Sequence, residues 1–186
     1  MFDIATCDIP GVLEIRPVVR SDARGSFVKI FHQEIFARHG IALDFAEMYH
    51  TTSREGVIRG LHFQTPPHDY VKLVGCVSGA VFDAVVDLRR GSPTFGRHCA
   101  FRLSQAEGNL LYLPSGIAHG FCVEAGTATM LYVTSTVYAA EHDTGIAWDS
   151  AGIAWPVADA LLSDRDRAFP RLQDFDSPFV YAEAMA

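Results

Sequence analysis

From Phe45 to Val137 the chain is a succession of short segments rich in Val, Ile, Leu and Phe, separated by Gly, Pro, Ser and Asn, with no helical stretch between them. Strands that follow one another without crossover helices pair antiparallel, so this spacing predicts an all-β sandwich or barrel and argues against a parallel α/β fold. Residues 56–76, GVIRGLHFQTPPHDYVKLVGC, hold two such segments around Pro66-Pro67-His68-Asp69, which can neither continue a strand nor start a helix. This arrangement predicts that His62 and Lys72 sit on neighbouring strands. Ser78-Gly79 predicts a tight hairpin joining VKLVGCV to AVFDAVVDL, and Arg90-Gly91-Ser92-Pro93 closes the second of these strands. HCAFRL, NLLYL, HGFCV and TATMLYVTSTVY continue the series.

The flanks are less regular. Residues 11–20, GVLEIRPVVR, carry Pro17, which suits an edge strand or an arm. The turn signal Ser21-Asp22-Ala23-Arg24-Gly25 precedes a strand over SFVKIFH, and residues 33–39 predict a short helix closed by Gly40. Beyond Tyr138 the chain becomes looser and acidic, with Trp148 and Trp155 as anchors, a cap or short helix over Leu161 to Asp166, and a tail from Asp174 expected to pack over the barrel.

A chain of 186 residues, 49% hydrophobic and 20% charged, has the size of one compact domain, here taken as residues 1–186. Its net charge of -7 and the lack of any Lys/Arg run exclude a broad nucleic-acid surface, so an anionic ligand would have to meet local positive charge. The start lacks a basic region followed by an apolar run, and no segment reaches the roughly 18 apolar residues that span a membrane. A cytoplasmic protein without membrane contact is expected. Cys7, Cys76, Cys99 and Cys122 are scattered without C-x-x-C spacing and are expected to be reduced and structural.

Several residues are candidates for chemistry. A neutral imidazole such as that of His62 can take a proton, and an ammonium nearby can stabilise the negative charge this creates. The alternative for His62 is a hydrogen-bonded structural histidine. Lys72 is one of only two lysines, the other being Lys29, and it stands in an apolar strand where an unpaired ammonium is costly. In ATMLYVTSTVY the period of two places Tyr132 and Tyr138 on one face, either toward a substrate or as β-formers in a core. Asp166 could orient an imidazole or simply cap a turn. Arg24, Arg59 and Arg165 could hold phosphate or be solvated, and His32, His39 and His98 read as ordinary surface residues.

The spacing G-x5-P-x-G-x2-H from Gly108 to His119 resembles the second signature of the cupin barrels, and G-x5-H from Gly56 to His62 the opening of the first. Metal-binding cupins continue with a further His and a Glu; this chain has Gln64 and then His68-Asp69. The pattern implies a cupin-type double-stranded β-helix, or jelly-roll barrel, with a few short helices and without a complete metal set.

A longer run, RGLHFQ, PPH, KLV, SGAVFDAVVDLR, SPTFG, LPSGIAHGF, LYVTSTVY, GIAW, IAWP and LLSDRD, resembles the dTDP-4-dehydrorhamnose 3,5-epimerase family in content and order over roughly residues 10 to 172. The resemblance implies a cofactor-free, metal-free epimerisation of a nucleotide-linked 4-keto-6-deoxyhexose at C3, C5 or both. It places His62 on the base, Asp166 on its carboxylate partner, Lys72 on the cation beside the developing enolate, Tyr132 on the acid of the opposite face and His119 on a substrate-contacting histidine. Arg24, Arg59 and Tyr138 match positions that hold the diphosphate and stack on the base. It also implies a homodimer in which N-terminal strands, about 1–32, cross to the partner so that Arg24 and Lys29 complete the other subunit's site.

The departures fall on the nucleotide side. Lys29 stands where the family has an acidic residue, Glu47-Met48-Tyr49 replace Gln-Asp-Asn, Arg165 replaces a lysine and Asp143 a glutamate. Thymine offers an N–H at N3 that an acid accepts, whereas cytosine N3 is an acceptor that suits Lys29, so CDP or GDP joins dTDP as a candidate nucleotide. Two other classes compete: a metal-dependent cupin oxygenase using His62 and His119, and a non-catalytic binder of sugar nucleotides.

Overall fold

The computed structural model describes residues 2–41 and 44–182. The strands are β1 (Phe2–Thr6), β2 (Leu13–Pro17), β3 (Val19–Asp22), β4 (Gly25–Val28), β5 (Glu47–Arg54), β6 (Ile58–Gln64), β7 (Lys72–Ser78), β8 (Ala80–Asp87), β9 (His98–Ser104), β10 (Leu110–Leu113), β11 (Ile117–Cys122), β12 (Thr127–Thr134) and β13 (Asp143–Gly145). The helices are α1 (Gln33–Arg38), α2 (Asp164–Arg167) and a 3₁₀ turn at Leu172–Asp174. One sheet runs β1-β2-β10-β7-β12-β5, a second β13-β6-β11-β8-β9, and β3 and β4 form a separate hairpin. The fold is all-β, with the two large sheets packed face to face as a cupin-type jelly roll.

Alternation within the strands builds three apolar layers. Val74 of β7, Val81 and Val85 of β8, and Met130 and Tyr132 of β12 point between the sheets into the central core. Their neighbours Leu73 and Val133 point outward and are covered by Phe36 of α1. On the other sheet Leu61, Phe63, Ala84 and Val86 point outward beneath Ile146, Ile153 and Phe179. The tail expected from Asp174 does pack over the barrel, with Phe179 buried and Arg90 bridged to Val180; residues 183–186 lie outside the described residues.

Close contact between β6 and β11 depends on glycine. Gly60 has a φ of +141°, and a Cβ there would lie 2.5 Å from the Cα of Gly120. The ladder shifts register between His119 and Phe121 at the same place. No helix among the described residues is long and apolar enough to cross a membrane.

Several expectations are corrected. Ser78-Gly79 does not close a hairpin: β7 lies in the six-stranded sheet and β8 in the five-stranded one, so the turn carries the chain across the barrel. His62 and Lys72 are likewise not on neighbouring strands, because the connection between β6 and β7 also changes sheet. A turn signal shows where a strand ends and carries no information on which sheet receives the next one. Segment 11–20 is not an edge: β2 lies between β1 and β10. Pro17 is tolerated there because it ends the strand, beyond the Leu13 to Ile15 stretch that pairs with β10. The strand expected over SFVKIFH stops at Val28, and the one carrying Tyr132 stops at Thr134, short of Tyr138. His32 is half-buried with Nδ1 lacking a partner, not an ordinary surface residue.

Candidate active site

A cavity of about 340 Å³ opens between the inner faces of the two sheets. Alternation again decides its lining. Glu47, Tyr49 and Thr51 of β5, Tyr132 and Thr134 of β12, and Lys72 at the start of β7 come from one sheet. His62 and Gln64 of β6, His119 and Phe121 of β11, and Asp143 of β13 come from the other. Tyr70, Tyr138 and Arg165 complete its rim.

His62 and Asp166 make the first chemical unit. The imidazole Nε2 lies 2.8 Å from Asp166 Oδ1, and Gly60 N donates to Asp166 Oδ2 at 3.3 Å. Ser163 caps α2 by accepting from the Asp166 backbone N–H, which fixes the carboxylate at the helix start. Burial pushes the Asp166 carboxyl up, but the hydrogen bond and charge of His62, with the Gly60 N–H and Ser163, outweigh it and hold the group below the usual carboxylate range. An ionised carboxylate only accepts, so Nε2 carries the hydrogen and Nδ1 keeps a lone pair free to take a proton.

Lys72 is only 4% exposed. Burial pushes its ammonium below the usual lysine range, while Tyr49, Asp143 and Asp83 act the other way. Its Nζ lies 4.8 Å from the centre of the Tyr70 ring, a cation–π contact that offsets part of the lost hydration. Among the described residues it has no hydrogen-bond partner.

Tyr132 faces His119 edge-on at 6.2 Å and stacks on Tyr49 at 4.8 Å, with the two rings within 12° of parallel. Its hydroxyl is 3.4 Å from Thr51 Oγ1, and burial pushes the phenol well above its usual value, keeping it protonated. His119, directly opposite His62 in the ladder, is held by Asp83, with Nε2 and Oδ2 2.8 Å apart. Both groups are buried; burial pushes the carboxyl up and the imidazole down, each toward its uncharged form.

At the rim, Arg165 and Asp143 form an ion pair at 2.6 Å and the Arg165 guanidinium lies over Phe169. Glu47 Oε2 accepts from the Tyr138 backbone N–H at 2.6 Å, and Tyr138 is 61% exposed. Arg59 donates to Ser53 Oγ at 2.9 Å.

Thus His62, Lys72, Tyr132, Glu47, Tyr49, Arg59, His119, Tyr138, Asp143 and Arg165 share one cavity, and Asp166 joins it through His62. Arg24 and Lys29 do not reach it. Arg24 lies on the turn of the β3–β4 hairpin, paired with Asp22, and Lys29 lies beside Phe2, Phe27 and His32. Sequence reasoning missed Asp83, although an acid inside the apolar run AVFDAVVDL is the same kind of signal that singled out Lys72. It also missed Thr51, which shares the strand parity of Glu47 and Tyr49, and Tyr70, for which a turn-rich loop gave no signal.

The donor set does not fit a metal. Gln64, which stands where metal-binding cupins carry a further histidine, uses both ends of its amide on backbone groups of His68, Val137 and Ala139. Among the described residues no three His, Cys, Asp or Glu side chains cluster in a way that could hold an ion. An imidazole with a free lone pair, an amine and a protonated phenol in one cavity are instead suited to moving protons at carbon. Fold and site together define a cupin-type enzyme of the isomerase class.

The model of the dTDP-4-dehydrorhamnose 3,5-epimerase family matches residues 6–174, and the chain belongs to that family. It is 41% identical to the dTDP-4-dehydrorhamnose 3,5-epimerase of Shigella flexneri over 178 residues, covering 94% of this chain and 98% of that one. A dTDP-4-dehydrorhamnose 3-epimerase from Streptomyces niveus is 43% identical over 162 residues, covering 86% and 78%. The epimerase of Legionella pneumophila, solved with dTDP-4-keto-L-rhamnose, superposes with a TM-score of 0.94 at 32% identity over 98% of this chain and 100% of that one.

Proposed function

We propose that the chain inverts C3, C5 or both in a nucleotide-linked 4-keto-6-deoxyhexose. The observation that carries this is the convergence of His62 and Tyr132 from opposite sheets on one cavity, with Lys72 beside them. His62, held by Asp166, takes the proton from a carbon next to the ketone through its free Nδ1. Lys72 meets the enolate oxygen, and Tyr132 returns a proton from the other face. His119 contacts the sugar, while Arg59, Arg165 and Tyr138, with Glu47 and Asp143, form the nucleotide end. A carbon acid beside a ketone is weak, and a single preorganised oxyanion donor is typically worth about 3 kcal/mol.

The names of the relatives support dTDP as the nucleotide, whereas Lys29 in place of an acid supports CDP or GDP. Lys29 and Arg24 would act only on a partner's cavity, through exchange of the N-terminal strands in a homodimer; the exposed Phe27 and Val18 of that region support such a docking. Incubating dTDP-, CDP- and GDP-linked 4-keto-6-deoxyhexoses with the protein in heavy water and following deuterium by NMR tests substrate and stereocentre together. Exchange at C3 and C5 of one substrate is expected, and no exchange with any of them would refute the proposal in favour of a non-catalytic binder. A sedimentation experiment checks the dimer, for which a monomer at assay concentration is the contrary result.

A further inference from the structure

We infer that Tyr49 is a second oxyanion donor, its hydroxyl meeting the same enolate oxygen as the Lys72 ammonium. This rests on the proton-transfer reading above and adds a residue to it. Tyr49 stands directly opposite Tyr132 on β12, and Thr134 of that strand stands directly opposite Lys72 on β7, so the three inward-facing rows are contiguous. Tyr49 and Lys72 are therefore two strand spacings apart across the sheet and two residues apart along it, about 12 Å at the backbone. Two long side chains closing that span from either side can reach a single oxygen between them.

Three observations favour a catalytic hydroxyl over a packing ring. Among the described residues neither the Tyr49 hydroxyl nor Lys72 Nζ has a hydrogen-bond partner, although both line the cavity. The Tyr49 ring is stacked nearly parallel on Tyr132, and both residues line the same cavity. Lys72 also exerts the strongest of the neighbouring charge effects on Tyr49, holding down a phenol that burial raises. Tyr70 is the other phenol near Lys72, but it offers the amine its ring face. As the C–H proton passes to His62 and the electron pair moves onto the ketone oxygen, Tyr49 and Lys72 each donate a hydrogen bond to that oxygen. No covalent bond to Tyr49 forms or breaks.

Tyr49→Phe keeps the stack on Tyr132 and removes only the hydroxyl. With a dTDP-linked 4-keto-6-deoxyglucose in heavy water, Tyr49→Phe is expected to lower the exchange rate at saturating substrate roughly 10²-fold, the typical cost of one oxyanion donor, with little change in KM. Exchange within twofold of wild type, or a change confined to KM, overturns the inference. His62→Asn is run beside it: if it abolishes exchange while Tyr49→Phe does not, this inference alone fails. If both keep the wild-type rate, the proton-transfer reading falls with it.

Discussion

Two histidine–carboxylate pairs, whose histidines lie side by side on adjacent strands of the five-stranded sheet, have the same 2.8 Å contact and opposite surroundings. In the His62–Asp166 pair, the carboxylate sits at the start of α2, receives a backbone N–H and keeps its charge, while the imidazole side chain is 27% exposed. In the His119–Asp83 pair both residues are buried, Asp83 Oδ1 has no partner, and burial works against charge on either member. Identical residue types thus meet different surroundings, which under the proposed function suits them to different tasks. An ionised carboxylate fixes one tautomer and stabilises an imidazolium, which a base requires. The enclosed pair can shape and orient, but protonating it would place charge where nothing solvates it.

The sharpest way to break this contrast is to remove each imidazole. His62→Asn should lower epimerisation by at least roughly 10³-fold, within the range ascribed to general acid–base groups, whereas His119→Asn should act mainly on KM. Equal losses of kcat would show that both pairs move protons. A smaller effect, on the order of 10²-fold in kcat, is expected for Asp166→Asn, because the imidazole remains but its tautomer is no longer enforced. Steady-state kinetics at several pH values would check it.

For stability the order reverses. Asp83→Ala leaves a buried His119 without its partner and should cost about 3 kcal/mol, against about 1 kcal/mol for Asp166→Ala, where water can reach His62. Urea unfolding measures both. The smallest effect concerns pH. Asp166 has a folded pKa below the ordinary unfolded value of about 3.9, so its stabilisation is complete above that value and is lost as pH falls through the folded pKa. The stability deficit of Asp166→Asn should therefore narrow between about pH 5 and pH 2, and a constant deficit would show that the carboxylate is not held low.

The antiparallel all-β arrangement and the inward direction of Tyr132 on β12 were legible in the chain, because a period of two and turn residues are local signals. Assignment of strands to sheets was not legible, since Ser78-Gly79 reads as a hairpin whether the next strand returns beside the last or crosses to the facing sheet. Lys72 in an apolar strand and the family pattern around His62, Tyr132 and Asp166 singled out residues that the structure gathers at one cavity. Asp83 escaped because its partner, His119, is 36 positions away. Arg24 and Lys29 differ in the other sense: the family pattern suggests a nucleotide role, but in the structure neither reaches the cavity of its own chain.

Because consecutive strands β6, β7 and β8 alternate between the sheets, His62, Lys72 and Asp83 reach common ground only after the chain has closed on itself, and Asp166 arrives from beyond the last strand. Assembly of the cavity consequently rests on non-local pairings, the kind of contact that slows folding. A fragment ending before α2 would still contain His62, Lys72 and Tyr132, yet would lack the carboxylate that holds the His62 imidazole.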